Sequence, residues 1–148
     1  RTVKKDPKVT NLGKNDAYVY LEVQVPREKV RVFDSNESIS TSEYRDLFTF
    51  EINTGWTLMN STVSGDSSYK TIVYAYTAGV LEPQKTTPAL FDTVKYVEVL
   101  EGEIEQGKFL DMPINAVAIQ ADYLDIDGSN LAGKIKNAYE KYRLEAEK

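Results

Sequence analysis

The stretch DPKVTNLGKNDAYVYLEVQVP, residues 6–26, consists of a short extended segment, a turn cluster and a long alternating run. In the run, from residue 17 to residue 25, every second residue is apolar, and tyrosine, glutamate and glutamine lie between them. Because the side chains of a strand point alternately to its two faces, the run predicts a half-buried strand that ends at Pro26. Its apolar face needs a second apolar layer, which the other strands of the chain must supply.

Further extended segments follow, with turn signals between them. We predict a hairpin of residues 47–52 and 56–59 across a three-residue turn that ends in Gly55, because glycine suits a left-handed position there. Residues 27–46 lack a sustained apolar period and are interpreted as a long surface connection. Three more strands are predicted at residues 69–77, 93–100 and 109–124, and the last of them has apolar residues on both faces, which is typical of a central strand.

An amphipathic helix closes the sequence at residues 129–148. Its apolar stripe lies among lysine, glutamate and arginine and consists of Leu131, Ile135, Ala138 and Tyr142. About seven strands and one C-terminal helix predict a mainly β fold, an antiparallel β-sandwich with jelly-roll-like connections. We expect residues 1–148 to form a single domain, because this length suits one core and no internal repeat divides it.

The composition excludes several classes of function. The net charge of −5 gives no basic surface for phosphates, so we expect no nucleic-acid partner. No run approaches the roughly 20 apolar residues that a spanning helix needs, so we expect no membrane span. Cysteine and histidine are both absent, which removes thiolate nucleophiles, the commonest general base and the usual zinc ligands. The sequence therefore predicts a protein without catalytic residues and without a bound cofactor.

One acidic turn resembles a calcium loop. Its candidate ligands Asp122, Asp125 and Asp127 alternate ahead of Gly128, and calcium prefers such oxygen donors. The loop pattern would place Tyr123 first and Lys134 twelfth, where acidic ligands are needed. We therefore interpret the segment as a turn and helix N-cap, with calcium binding as the alternative.

Ten tyrosines suggest contacts with sugars or with other protein surfaces. Tyr74, Tyr76 and Tyr96 are interpreted as cross-strand packing residues, which is the ordinary role of aromatic side chains in strands. Tyr18 and Tyr20 lie opposite the apolar face of their strand, and we expect them to contact another chain or sheet.

Several ordered segments together resemble the TasA/camelysin family of exported bacterial proteins, which depend on signal peptidase W. They are KDPKVTN at 5–11, NDAYV at 15–19, WTL at 56–58, YAY at 74–76, TPALFDTV at 87–94 and AIQAD at 118–122. The resemblance implies a jelly-roll-like sandwich and, after signal-peptide removal, an extracellular location at a Gram-positive cell surface or biofilm matrix. For the TasA branch it also implies fibre assembly, in which an N-terminal segment completes the sheet of a neighbour. Residues 1–10 are the candidate donor arm.

Three functions follow from these observations. The first is a non-enzymatic extracellular fibre subunit that associates with its own copies through the N-terminal segment. The alternative is a monomeric cell-surface module that binds a glycan or a surface protein through its tyrosine-bearing face. The camelysin branch implies a metallo-endopeptidase, but this chain has no histidine for the metal, and we rank that function third.

Overall fold

The computed structural model describes residues 2–33, 38–97, 99, 111–121 and 130–146. It is mainly β, with two antiparallel sheets and one C-terminal helix, so the predicted β-sandwich is confirmed. The jelly-roll-like connectivity stays a prediction. The elements in chain order are β1 (Thr2–Lys4), β2 (Ala17–Val30), β3 (Glu43–Asp46), β4 (Phe48–Thr49), β5 (Trp56–Val63), β6 (Tyr69–Tyr76), β7 (Thr93–Tyr96), β8 (Ile114–Gln120) and α1 (Leu131–Ala146).

The strand β2 is the centre of the larger, five-stranded sheet. Its partner on one side is β6, which in turn pairs with β5. On the other side β8 pairs with the first half of β2, and β3 pairs with the second half. The smaller sheet has the order β1-β7-β4, so β7 is its central strand.

Both faces of β2 are buried over residues 17–21, which corrects the prediction of a half-buried strand for this part. The aliphatic face, with Val19 and Leu21, packs into the core between the two sheets, together with Trp56 and Phe91. The other face packs against α1 in a second apolar cluster. The described residues therefore form three layers: the small sheet, the large sheet and the helix.

The alternating run predicted that the strand ends at Pro26, but β2 continues beyond this residue. Pro26 lies between the part of β2 that pairs with β8 and the part that pairs with β3, so the N–H that proline lacks is needed by neither ladder. The Pro26 carbonyl accepts a hydrogen bond from the Leu47 amide. The strand continues to Val30, which pairs with Glu43. Residues 27–46, predicted as a surface connection, thus contain the end of β2 and all of β3.

The predicted hairpin of residues 47–52 and 56–59 is wrong. Of residues 47–52 only Phe48–Thr49 form a strand, β4, and it pairs with β7. The other predicted half belongs to β5, which pairs with β6 in the large sheet. Gly55 nevertheless has a positive φ of 103°, as the turn prediction required. The last strand is also shorter than expected and lies at an edge, because β8 pairs only with β2 among the described strands.

Candidate assembly interface

The N-terminal segment, residues 2–11, lies antiparallel to residues 84–95 of its own chain. The strand β1 pairs with β7, with Val3 opposite Val94. Beyond β1, the Lys5 amide donates to Asp92 at 3.0 Å, and the Pro7 carbonyl accepts from Leu90 at 2.8 Å. The predicted donor arm, residues 1–10, therefore contributes an edge strand to its own small sheet, as far as it is described.

Main-chain hydrogen bonds hold this segment more than side-chain burial does. From residue 2 to residue 10 only Val9 is buried, whereas Val3 and Pro7 are half-buried and the other side chains are exposed. A strand with few buried apolar contacts opens at a low free-energy cost relative to the core. The segment before Val9 is therefore the part of this sheet edge that can separate most easily.

A buried asparagine fixes the point where the segment joins the body of the protein. The Asn11 side-chain amide donates to the carbonyls of Asn15 and Leu81, both at 2.8 Å, and its oxygen accepts from the Gly13 amide. Since a buried amide is costly unless its hydrogen bonds are satisfied, these contacts lock the turn ahead of β2. Val9, which donates to the Thr87 hydroxyl, completes this anchor.

Open clefts lie on both sides of β1. One, of about 470 Å³, is lined by residues that include Thr2, Phe50 and Asp92, and the other, of about 270 Å³, includes Val3 and Met112. The clefts place open space beside Thr2 and beside Val3.

Tyr18 and Tyr20 pack against the helix of their own chain, which corrects the expectation that they contact another chain or sheet. Tyr18 and Tyr20 are 2% and 0% exposed, and the Tyr20 hydroxyl donates to the Ile135 carbonyl at 2.6 Å. Glu22 accepts from the Tyr139 hydroxyl and from the Asn115 amide. Tyr18 and Tyr20 therefore cannot form an exposed binding face for a glycan or a protein.

The same burial changes the acidity of these phenols. Burial, followed by the neighbouring Tyr18, raises the pKa of Tyr20 far above its ordinary value of 10.0. Burial, followed by the hydrogen bond to Glu22, raises the pKa of Tyr139 in the same direction. Burial between the sheets raises the pKa of Tyr74 to about 12. All three phenols thus fit a neutral, packing role.

The predicted packing role of the strand tyrosines is confirmed. Tyr74 meets Phe50 with ring centroids 6.1 Å apart, and Tyr76 meets Trp56 at 5.4 Å. Tyr96 packs on Phe48 at 4.5 Å.

The calcium candidates Asp122, Asp125 and Asp127 lie outside the described residues, so calcium binding stays a prediction. Within the described ranges no three carboxylates, histidines or cysteines lie close enough together to hold a metal ion. The described part of the chain also has no helix that is long and apolar enough to cross a bilayer.

The large sheet has a second candidate interface at β8. The outer side of this strand has no partner among the described strands, and an open groove of about 610 Å³ runs beside it. Asn115, Val117 and Ile119 line the groove from β8, and Tyr142 and Glu145 line it from the helix. The sequence prediction missed this edge because apolar residues on both faces had indicated a central strand.

Comparisons with family models, with curated proteins and with solved structures find no match to this chain. Its functional interpretation therefore rests on the geometry of its sheet edges, on its residue content and on the segments that resemble the TasA/camelysin family.

Proposed function

We propose that this chain is a non-enzymatic extracellular structural protein, a subunit of a biofilm-matrix or cell-surface fibre that assembles by strand addition. One observation carries the proposal: residues 2–8, which begin with the edge strand β1, are held along the small sheet mainly by main-chain hydrogen bonds, while most of their side chains remain exposed. Main-chain bonds of this kind form equally well between chains, as they do in strand-addition complexes.

The acceptor site in this proposal is the edge of β7. When residues 2–8 leave β7, they expose an edge with the same register in every copy, and residues 2–8 of a neighbouring copy can pair with it. The main-chain hydrogen bonds lost within one chain are then replaced by the same bonds between chains. The contact is head-to-tail, with a donor at one place and an acceptor at another. Such heterologous contacts generate filaments when their rotation does not close a ring.

The alternation of the β1–β7 ladder decides which N-terminal residues are needed. Since Lys5 donates to Asp92, and antiparallel pairs alternate, Val3 also directs its main-chain groups toward β7. Lys4 directs its N–H away from β7. Proline at position 3 therefore blocks pairing within and between chains, whereas proline at position 4 leaves the ladder bonds intact.

Electron microscopy of three purified variants tests the proposal. We expect filaments from the wild type and from Lys4→Pro, and no filaments from Val3→Pro or from a chain that lacks residues 1–8. Circular dichroism checks that each variant remains folded, and Val9 is retained because it is buried. Filaments that persist in the truncated chain would rule out assembly through this segment.

The remaining parts of the proposal have separate support. Export is implied by the family resemblance, and a non-enzymatic role is supported by the lack of histidine and cysteine. We expect a signal peptide in the reading frame upstream of Arg1 and the protein in the extracellular fraction of the producing cells. Protein confined to the cytosolic fraction would contradict the first part, and chelator-sensitive peptidase activity would contradict the second.

A further inference from the structure

The outer edge of β8 carries a regular row of main-chain groups that no described strand pairs. Ala121 donates to Asp16, and Pro113 accepts from Gln24, so the odd-numbered residues of this region direct their main-chain groups toward β2. In an antiparallel ladder the residues between them direct theirs to the opposite side. The N–H and C=O groups of Ile114, Ala116, Ala118 and Gln120 therefore face outward.

Within the described residues, β8 has none of the sequence features that commonly block further pairing at a sheet edge. Edge strands are commonly blocked by charged side chains, proline or a bulge. The sequence of β8, INAVAIQ, contains no charge and no proline, and its register with β2 is unbroken. In contrast, β5 at the opposite edge is bulged between Leu58 and Asn60, and β3 carries three charged residues in four.

We propose that β8 pairs antiparallel with β8 of a second copy, about a two-fold axis at Val117. In this register Ala116 lies opposite the second copy's Ala118, and Ile114 lies opposite its Gln120. These are the residues whose main-chain groups face outward, so the whole row is paired along the seven residues of the strand. The two five-stranded sheets become one continuous sheet.

The identity of the partner follows from symmetry and charge. A two-fold axis brings a strand against itself, so any charged side chain near the axis meets the same charge or lies close to it. The strand β8 itself is uncharged and avoids this repulsion, and Glu145 in the groove beside it lies on the helix. The small, exposed side chains of Ala116 and Ala118 also allow the two edges to approach each other without a clash.

The helices leave room for this arrangement. The helix α1 lies over β2, because Tyr20 bonds to Ile135 and Glu22 accepts from Tyr139. In the dimer three strand spacings separate the two copies of β2, about 14 Å, which exceeds the helix diameter of about 10 to 12 Å. The second copy's Ile119 then lies opposite Asn115, in the groove beside Tyr142.

This dimer goes beyond the proposed fibre contact and does not depend on it. Exchange of residues 2–8 uses the edge of β7 in the small sheet, whereas the two-fold pairing uses the large sheet. A molecule with both contacts would join two fibres side by side. Each contact can be removed without changing the other.

Single cysteines test the register directly, since the natural chain has none. We expect Val117→Cys to form a disulfide-linked dimer on mild oxidation, because its side chains meet on the axis. Asn115→Cys alone should stay monomeric, since four residues separate the two copies of position 115, about 13 Å, and a disulfide needs Cα atoms within about 7 Å. A mixture of Asn115→Cys with Ile119→Cys should crosslink, and it tests the register even if Val117→Cys fails to fold.

Sedimentation tests the association without crosslinking. We expect a concentration-dependent dimer of the chain that lacks residues 1–8, with its Kd raised about tenfold or more by Ala118→Pro, which removes one outward N–H from each copy. Ser61→Pro places the same change on the outward side of β5 and should leave the Kd unchanged. A monomer at all concentrations, equal effects of the two prolines, or a dimer that requires residues 1–8 would overturn the proposal.

Discussion

Gly55 shows how one backbone position constrains the join between the two sheets. It has a φ of 103°, which L-residues rarely adopt, and an added Cβ would lie 3.1 Å from the Tyr76 ring. The carbonyl of Gly55 also accepts from Thr77, which sets the first pair of the β5–β6 ladder. Glycine is needed here for both its conformation and its size.

We expect Gly55→Ala to lower the free energy of unfolding by about 1 to 3 kcal/mol, because the backbone would be strained and the Tyr76 ring displaced. Gly65→Ala is the matched control, since no atom lies within 4 Å of its added Cβ and its φ is not positive. That change should alter the stability by less than about 1 kcal/mol. Urea unfolding of both variants measures the difference, and equal effects would contradict the role given to Gly55.

For single residues, the sequence predicts which face of a strand a side chain lies on better than it predicts what packs against that face. Alternation correctly placed Val19 and Leu21 on one face of β2 and Tyr18 and Tyr20 on the other. It could not show that the tyrosine face is covered, because a tyrosine ring packs in a core as readily as it lies at a surface. The part-buried hydrogen bond from Tyr139 to Glu22 was also missed, because its partners are far apart in sequence.

At the element scale the helix is the best-predicted part and the strand partners are the worst. The helical stripe is local, and Ile135 from that stripe is fully buried in the second cluster. Strand pairing depends on distant sequence, so a glycine turn after β4 suggested a hairpin although β4 pairs with β7. The apolar pattern of β8 likewise did not indicate that this strand lies at a sheet edge.

The helix is expected to contribute substantially to stability through Ile135. This side chain is 0% exposed, and its replacement by alanine leaves a cavity against the tyrosines of β2. Ile135→Ala should cost about 2 to 5 kcal/mol of unfolding free energy. The control is Leu144→Ala on the same helix, where the side chain is 63% exposed and the expected change is within about 0.5 kcal/mol. Comparable losses in the two variants would mean that the helix does not pack on the sheet as described.

At the scale of the whole molecule, the sequence predicted two layers and the structure has three. The prediction of a sandwich required only that the apolar faces of the strands be covered, and the apolar cluster between the two sheets meets this requirement. The third layer forms because Tyr18 and Tyr20 give β2 a second packing surface, and the amphipathic helix covers this face, which the small sheet does not reach. The covering of both faces leaves the strand edges, more than the faces, as the surfaces for assembly.

Buried phenols in both cores make the whole fold sensitive to alkaline pH. The pKa values of Tyr20, Tyr74 and Tyr139 are all raised in the folded state above the ordinary 10.0. The folded state then holds protons that the unfolded chain has released, so the stabilisation is complete below pH 10 and is lost as the pH rises toward the folded-state values. Each group contributes a slope of at most about 1.4 kcal/mol per pH unit in this window.

Urea unfolding between pH 9 and pH 12 measures this slope. We expect it to become shallower in Tyr139→Phe, because phenylalanine has no proton to lose, although the lost bond to Glu22 also lowers stability at neutral pH. Tyr44→Phe is the control for removal of a phenol at the surface, since this side chain is 45% exposed. An equal slope in both variants would show that Tyr139 ionises as readily in the folded protein as in the unfolded chain, and the helix would then not exclude water from the sheet beneath it.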